Sequence, residues 1–96
     1  MELVLKFDAK DLQKVKDVLM KDDITSRASM TFKDGKFVNL QGYFCYFSGT
    51  EEQVKRAKEI AKDFTKEAEQ KEASVLIAKI KEEEQQAQSG FGALFG

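Results

Sequence analysis

Apolar residues in the first part of the chain follow two different spacings, and the change between them strongly limits the fold. Large apolar residues alternate with other residues over 2–7, which predicts a strand, because successive side chains of a strand point to opposite faces. Over 9–22 they recur every three or four positions, which predicts an amphipathic helix. The members of its stripe are Leu12, Val15, Val18 and Leu19.

The next segment, residues 24–33, again alternates between a mostly apolar face and a polar face. This pattern predicts a second strand. A turn signal follows in the sequence Lys33-Asp34-Gly35, which is typical of a hairpin with glycine in the left-handed position. The third strand is predicted over residues 37–47, after a three-residue loop.

The length of this loop decides which side of the third strand faces the core. With three loop residues, Met30 lies opposite Val38, and apolar side chains match along both strands. Even-numbered residues of the third strand, such as Phe44, then face the helices, and odd-numbered residues face outward. A slip of one residue would exchange the two faces.

The second half of the chain begins with a capping-box sequence, Thr50-Glu51-Glu52-Gln53, which predicts the start of a helix. Its apolar stripe extends from Val54 to Ala68, and polar residues then interrupt it. Two interpretations remain for the apolar run at 74–80, because short apolar runs are ambiguous by periodicity. Either the helix continues or restarts and ends near residue 88, or 74–80 forms a fourth strand.

These elements predict an α+β domain over residues 1–88, in the order β-α-β-β-α. We expect a three-stranded sheet of order 1-3-2 with a right-handed crossover, arranged as a two-layer open-faced sandwich with a long C-terminal helix. With 74–80 as a fourth strand, the alternative is a βαββαβ ferredoxin-like unit. Residues 89–96 combine glycine with apolar residues and are predicted to form a flexible, irregular tail.

The composition excludes several kinds of functional site. The chain has no His and one Cys, so it lacks a Ser-His-Asp triad, a Cys-His pair and the ligands of a structural zinc site. One Cys also rules out an intramolecular disulfide, and no apolar run is long enough to span a bilayer. We therefore expect a cytoplasmic protein with no enzyme activity, no metal, no cofactor and no membrane partner.

The outer face of the sheet is the first candidate binding surface. A face with several aromatic side chains is rarely left in water without a reason. We therefore expect the C-terminal helix, the tail or a second copy of the chain to cover it. The predicted site residues on this face are Phe37, Tyr43, Phe47, Arg27 and Gln41.

The tail is the second candidate, because Phe91, Leu94 and Phe95 form an apolar anchor between glycines. Together the two surfaces predict a small non-enzymatic protein-protein interaction module. We expect it to self-associate as a homodimer through the outer sheet face and the C-terminal segment, or to bind another protein.

Binding of single-stranded RNA is the alternative hypothesis. The sequence Gln41-Gly42-Tyr43 resembles the start of the RNP1 pattern of RNA-recognition motifs, whose open sheets stack bases on aromatic side chains. Cys45 and Val4 stand where that pattern has further aromatics, and a net charge of -1 provides little attraction for phosphate. Nucleic acid is therefore the less favoured partner.

Overall fold

A computed structural model describes the backbone of residues 1–95 and the side chains of residues 1–84. Its sheet is antiparallel and consists of β1 (Glu2–Phe7), β2 (Ser29–Asp34), β3 (Tyr43–Ser48) and β4 (Lys66–Glu67). The α-helices are α1 (Leu12–Lys21), α2 (Glu51–Ala61) and α3 (Gln70–Phe95). The chain is thus an α+β domain, as the sequence predicts.

The strand order in the sheet is β2-β3-β1-β4. The third strand pairs with both the first and the second, which confirms its predicted central place. Unexpectedly, β4 adds two residues to the other side of β1, where Leu5 lies opposite Glu67. The predicted three-stranded sheet therefore lacks one strand, and the alternative with 74–80 as the fourth strand is wrong, because that segment belongs to α3.

The helical stripe of the second half of the chain is divided between two helices. Two backbone N–H groups, those of Phe64 and Thr65, donate to the carbonyl oxygen of Ala61 at 3.0 Å and close the end of α2. A new helix then starts, where Glu72 accepts a hydrogen bond from the backbone N–H of Glu69 at 3.2 Å. The helix therefore restarts rather than continues, and its backbone extends through 89–95, where the sequence predicts an irregular tail.

Both faces of the sheet are covered. On one face α1 and α2 share a core with β1 and β3 that includes Leu5 and Phe47. On the other face α3 contributes Leu76 and Ile80 to a second core, which also contains Phe44. The domain therefore has three layers instead of the two of an open-faced sandwich. The C-terminal helix is the cover, one of the three that the sequence allows.

The register of β3 differs from the predicted one. Met30 lies opposite Phe47 rather than Val38, and because this shift is odd, every side chain of β3 changes face. Phe47 thus lies in the core beneath α1 and α2, while Phe44 faces α3. The predicted assignment of the two faces of this strand is wrong.

The connection between β2 and β3 causes this difference. It occupies residues 35–42 and starts with a short 3₁₀ turn instead of a three-residue hairpin loop. The N–H of Gly35 donates to the carbonyl oxygen of Gly42 at 2.8 Å, and a Cβ on Gly35 would lie 2.7 Å from that oxygen. The loop also packs Val38 and Leu40 against the core beneath α3. Burial of these two residues favours the long loop over a tight turn.

Candidate interaction site at the sheet edge

The structure separates the five residues that the sequence assigns to one outer face. Phe47 is 0% exposed in the core beneath α1 and α2. Tyr43 packs at the margin of the same core, with its ring centre 5.8 Å from that of Phe7. The predicted position of both residues on the outer face is wrong, because the register of β3 reverses them.

The other three predicted residues lie on the surface but not together. Gln41 lines a cleft where β1 ends, beside Gly42 and Lys66. Arg27 lines a separate cleft beside the first turn of α2. Phe37 is 47% exposed in the loop after β2. No single binding face unites these side chains. The side chains of Phe91, Leu94 and Phe95 lie outside the described residues.

Phe37 joins the loop to two neighbouring elements. The ammonium nitrogens of Lys33 in β2 and Lys79 in α3 lie 5.0 Å and 5.8 Å from the centre of its ring. Such cation–π contacts are attractive. Lys33 also forms an ion pair of 3.0 Å with Glu83 of α3. These contacts hold α3 beside the outermost strand.

This outermost strand, β2, is flanked by two of the predicted site residues, Arg27 before it and Phe37 after it. In the described sheet β3 is its hydrogen-bonded neighbour, on one side only. The other side therefore presents unpaired backbone N–H and C=O groups along a strand of six residues. At the opposite border of the sheet, β4 has two residues.

The edge of β2 lacks the usual protection against pairing with another strand. Proteins block such edges with proline, a bulge or inward-pointing charges. The chain contains no proline, and residues 29–34 pair with β3 without interruption. The charged residues of the strand, Lys33 and Asp34, stand at its end, and its middle is uncharged. Among the described surfaces, this edge is the best suited to receive a further strand.

A network around Asp22 positions the turn that leads into this edge. Its carboxylate accepts hydrogen bonds from Arg56 of α2 at 3.0 and 3.1 Å and from the backbone N–H groups of Ile24 and Thr25. The resulting 3₁₀ turn ends at Arg27, so that β2 starts at 29 instead of 24. The hydrogen bond from Arg56 is the main cause that lowers the pKa of Asp22, and the backbone N–H groups lower it further.

This network predicts a loss of stability in acid. Since the pKa of Asp22 is lower in the folded than in the unfolded chain, its ionised form favours folding. The stabilisation is complete above the unfolded pKa, near about 4, and disappears as the pH falls through the lower folded value. We expect the melting temperature, measured by circular dichroism, to fall below about pH 4. The decrease should be smaller for Asp22→Asn, whereas Asp23→Asn, an exposed control, should behave like the natural chain. An unchanged decrease in Asp22→Asn would contradict this role.

Two side chains with shifted pKa values keep their protons at neutral pH. Burial raises the pKa of the Cys45 thiol to about 12. Burial, and then the hydrogen bond donated to Glu2, raise the pKa of Tyr46 to about 12. Within the described residues, every buried side-chain nitrogen or oxygen has a hydrogen-bond partner, and no three potential metal ligands come together. The geometry of this part of the chain favours a binding surface over a reactive centre.

The comparisons with known proteins assign no relative to this chain. Across the residues that the structure describes, each helix is too short or too polar to cross a membrane. No protein-family model matches the sequence, and neither a curated protein nor a solved structure is similar to it.

Proposed function

We propose that the protein is a small non-enzymatic protein-protein interaction module that forms a homodimer by pairing the β2 strands of two copies. The open, unprotected edge of β2 is the observation that carries this proposal. The outer face of the sheet lies beneath α3. A second copy could therefore not bind there without displacing the helix.

The strand is self-complementary in an antiparallel register centred on Thr31. In this register Thr31 lies opposite Thr31 of the second copy, and Met30 lies opposite Phe32. Directly opposite residues of an antiparallel pair point to the same face. Met30 and Phe32 pack against the core beneath α1 and α2, so pairing would extend this core from one copy to the next.

The charges at the two ends of β2 favour the same arrangement. Arg27 precedes the strand, is exposed and makes no ion pair with the residues that the structure describes. Asp34 ends the strand and is also exposed. Antiparallel pairing brings the acidic end of one strand to the basic start of the other, twice in a two-fold dimer. A parallel pair would instead bring like charges together.

The expected affinity is modest. About six backbone hydrogen bonds, each contributing about 0.5–1.5 kcal/mol net, stabilise the pair by about 3–9 kcal/mol. The loss of translational and rotational freedom costs about 4–15 kcal/mol. These terms are of similar size, so side-chain contacts beside the edge decide whether the dimer is stable.

Opposite charges at Thr31 test the pairing and its register together. Thr31→Glu places two carboxylates opposite each other across the two-fold axis, and Thr31→Lys places two ammonium groups there. Like charges opposite each other cost up to about 1 kcal/mol, so each variant should dimerise about fivefold more weakly. An equal mixture should recover dimerisation as a heterodimer, measured by analytical ultracentrifugation over a range of concentrations.

The same substitutions at Ser74, on the exposed side of α3, provide the matched control and should leave dimerisation unchanged. A natural chain that is monomeric at every concentration would contradict the proposal. So would a dimer that both Thr31 variants leave intact.

RNA binding loses the observations that suggested it. Tyr43 and Phe47 contribute to the core instead of an open face, and Phe44 lies beneath α3. RNA could stack on the outer face only after α3 had left the sheet. We therefore propose the protein-protein function in preference to the RNA-binding alternative.

A further inference from the structure

The path of α3 over the sheet leads toward the edge of β2. Near the start of the helix, Glu72 accepts a hydrogen bond of 2.6 Å from Lys6 of β1. Farther along, Glu83 pairs with Lys33 of β2 at 3.0 Å. Because β2 is the outermost strand, the helix has crossed to the edge of the sheet by Glu83.

The helix is longer than the sheet is wide. Its 26 residues extend over about 39 Å, whereas four strands about 4.8 Å apart give a width of about 14 Å between the outer strand axes. Since α3 has reached β2 by Glu83, we expect residues 85–95 to continue past the last strand of its own sheet.

The contacts of the first part of α3 show which side of the helix is turned toward the sheet. Leu76 and Ile80 are buried there. A helix repeats every 3.6 residues, so positions 87, 91 and 94 fall on the same side as these two residues. The sequence places Ala87, Phe91 and Leu94 at those positions. The apolar stripe that covers the sheet thus continues past its edge.

We infer that residues 85–95 of α3 pack on the outer sheet face of the second copy. This inference rests on the proposed dimer, because pairing of the β2 strands places the second sheet directly beside the edge that α3 crosses. The two-fold axis makes the contact reciprocal, so that each copy covers part of the other. The C-terminal segment and the open edge then belong to one interface.

The composition of this segment favours a protein surface as its cover. No charged residue follows Glu84, so water is a poor environment for the stripe. Glycine is a poor helix former, and the segment contains Gly90 and Gly92. A helical backbone through these positions therefore depends on packing against another surface. The neighbouring sheet of a second copy supplies one of the same kind as that beneath Leu76.

Two aspartate substitutions in the full chain test this contact. Phe91→Asp places a charge on the stripe, and the same change at Ser89, on the other side of the helix, is the matched control. We expect Phe91→Asp to raise the dissociation constant of the dimer about tenfold or more, because a large apolar group is lost from the interface. Ser89→Asp should leave the constant unchanged. Analytical ultracentrifugation measures both, and circular dichroism verifies that each variant is folded.

The outcomes separate this inference from the dimer itself. If the Thr31 variants weaken the dimer and Phe91→Asp does not, the β2 pairing stands and the contact of α3 is overturned. If Phe91→Asp weakens the dimer and the Thr31 variants do not, the segment binds elsewhere on the second copy, which also overturns the inference. A chain that is monomeric at every concentration overturns both.

Discussion

Replacement of Phe47 by alanine should lower the free energy of unfolding by about 3–5 kcal/mol. Phe47 is 0% exposed and lies at the centre of the sheet, in the core beneath α1 and α2. Protein interiors are close-packed, so the loss of the ring leaves a cavity that its neighbours fill only in part. Urea denaturation followed by circular dichroism measures the effect, at a protein concentration low enough that dimerisation does not contribute.

Phe37→Ala is the matched control, since the same side chain is removed from a position that is 47% exposed. It should cost about 1 kcal/mol or less, mainly through loss of the contacts with Lys33 and Lys79. Equal losses in the two variants would contradict the observed register of β3. They would indicate that Phe47 lies on the surface, as the sequence alone suggests.

Leu76→Ala should lower the free energy of unfolding by about 2–5 kcal/mol. Leu76 is 1% exposed and belongs to the core between α3 and the sheet, together with Val4 and Phe44. This core is small, so one lost side chain removes a large part of the apolar contact that holds α3. The same urea titration measures the change.

The adjacent residue is the control for this second prediction. Val75 is 46% exposed on the same helix, and Val75→Ala should change the free energy of unfolding by about 0.5 kcal/mol or less. If Leu76→Ala were equally mild, α3 would not be docked on the sheet. The outer face would then be open, and the path of α3 toward β2 would lose its support.

Docking of α3 changes the meaning of the outer face for function. An open sheet with aromatic side chains would suggest ligand binding, whereas this face is buried against its own chain. What remains for a partner is the border of the sheet, where backbone groups of β2 are unpaired. The candidate site is thus defined by hydrogen-bonding capacity at an edge more than by a set of aromatic side chains.

Elements that depend on neighbouring residues were predictable. The start of α2 is an example, because its signal is complete within four positions. Thr50 accepts a hydrogen bond from the N–H of Gln53 at 3.1 Å, and the Gln53 side chain accepts one from the N–H of Thr50 at 2.9 Å. The alternation in β1 likewise predicts both its strand and the face on which Leu5 is buried.

The face of β3 was predicted wrongly because it depends on the parity of a loop. Two signals for the longer loop were present in the sequence. Asn39 and Gly42 are residue types that tolerate positive φ, and they adopt φ values of 61° and 86°. A strand over 37–47 would have required both in extended conformation. They indicate that the loop continues to residue 42.

The candidate site was predictable only in part. Arg27 and Phe37 are surface residues, as expected, and they flank β2. No local pattern shows that β2 is an edge strand, since this depends on which strands pair with it. Nor does the sequence around Lys66 show a strand signal, because β4 has two residues and its alignment beside β1 comes from the tertiary fold.

Local patterns were sufficient for the α+β class, the central place of the third strand, and most of the strands and helices. Alternation, helical spacing and the capping box each act over a few residues, and the backbone obeys them directly. The tertiary structure decided which face of β3 is buried, that α3 covers the sheet, and that β2 is left at its edge. Each of these depends on contacts between distant segments, such as Val38 and Leu40 with α3, and their burial outweighs the local preference for a tight turn.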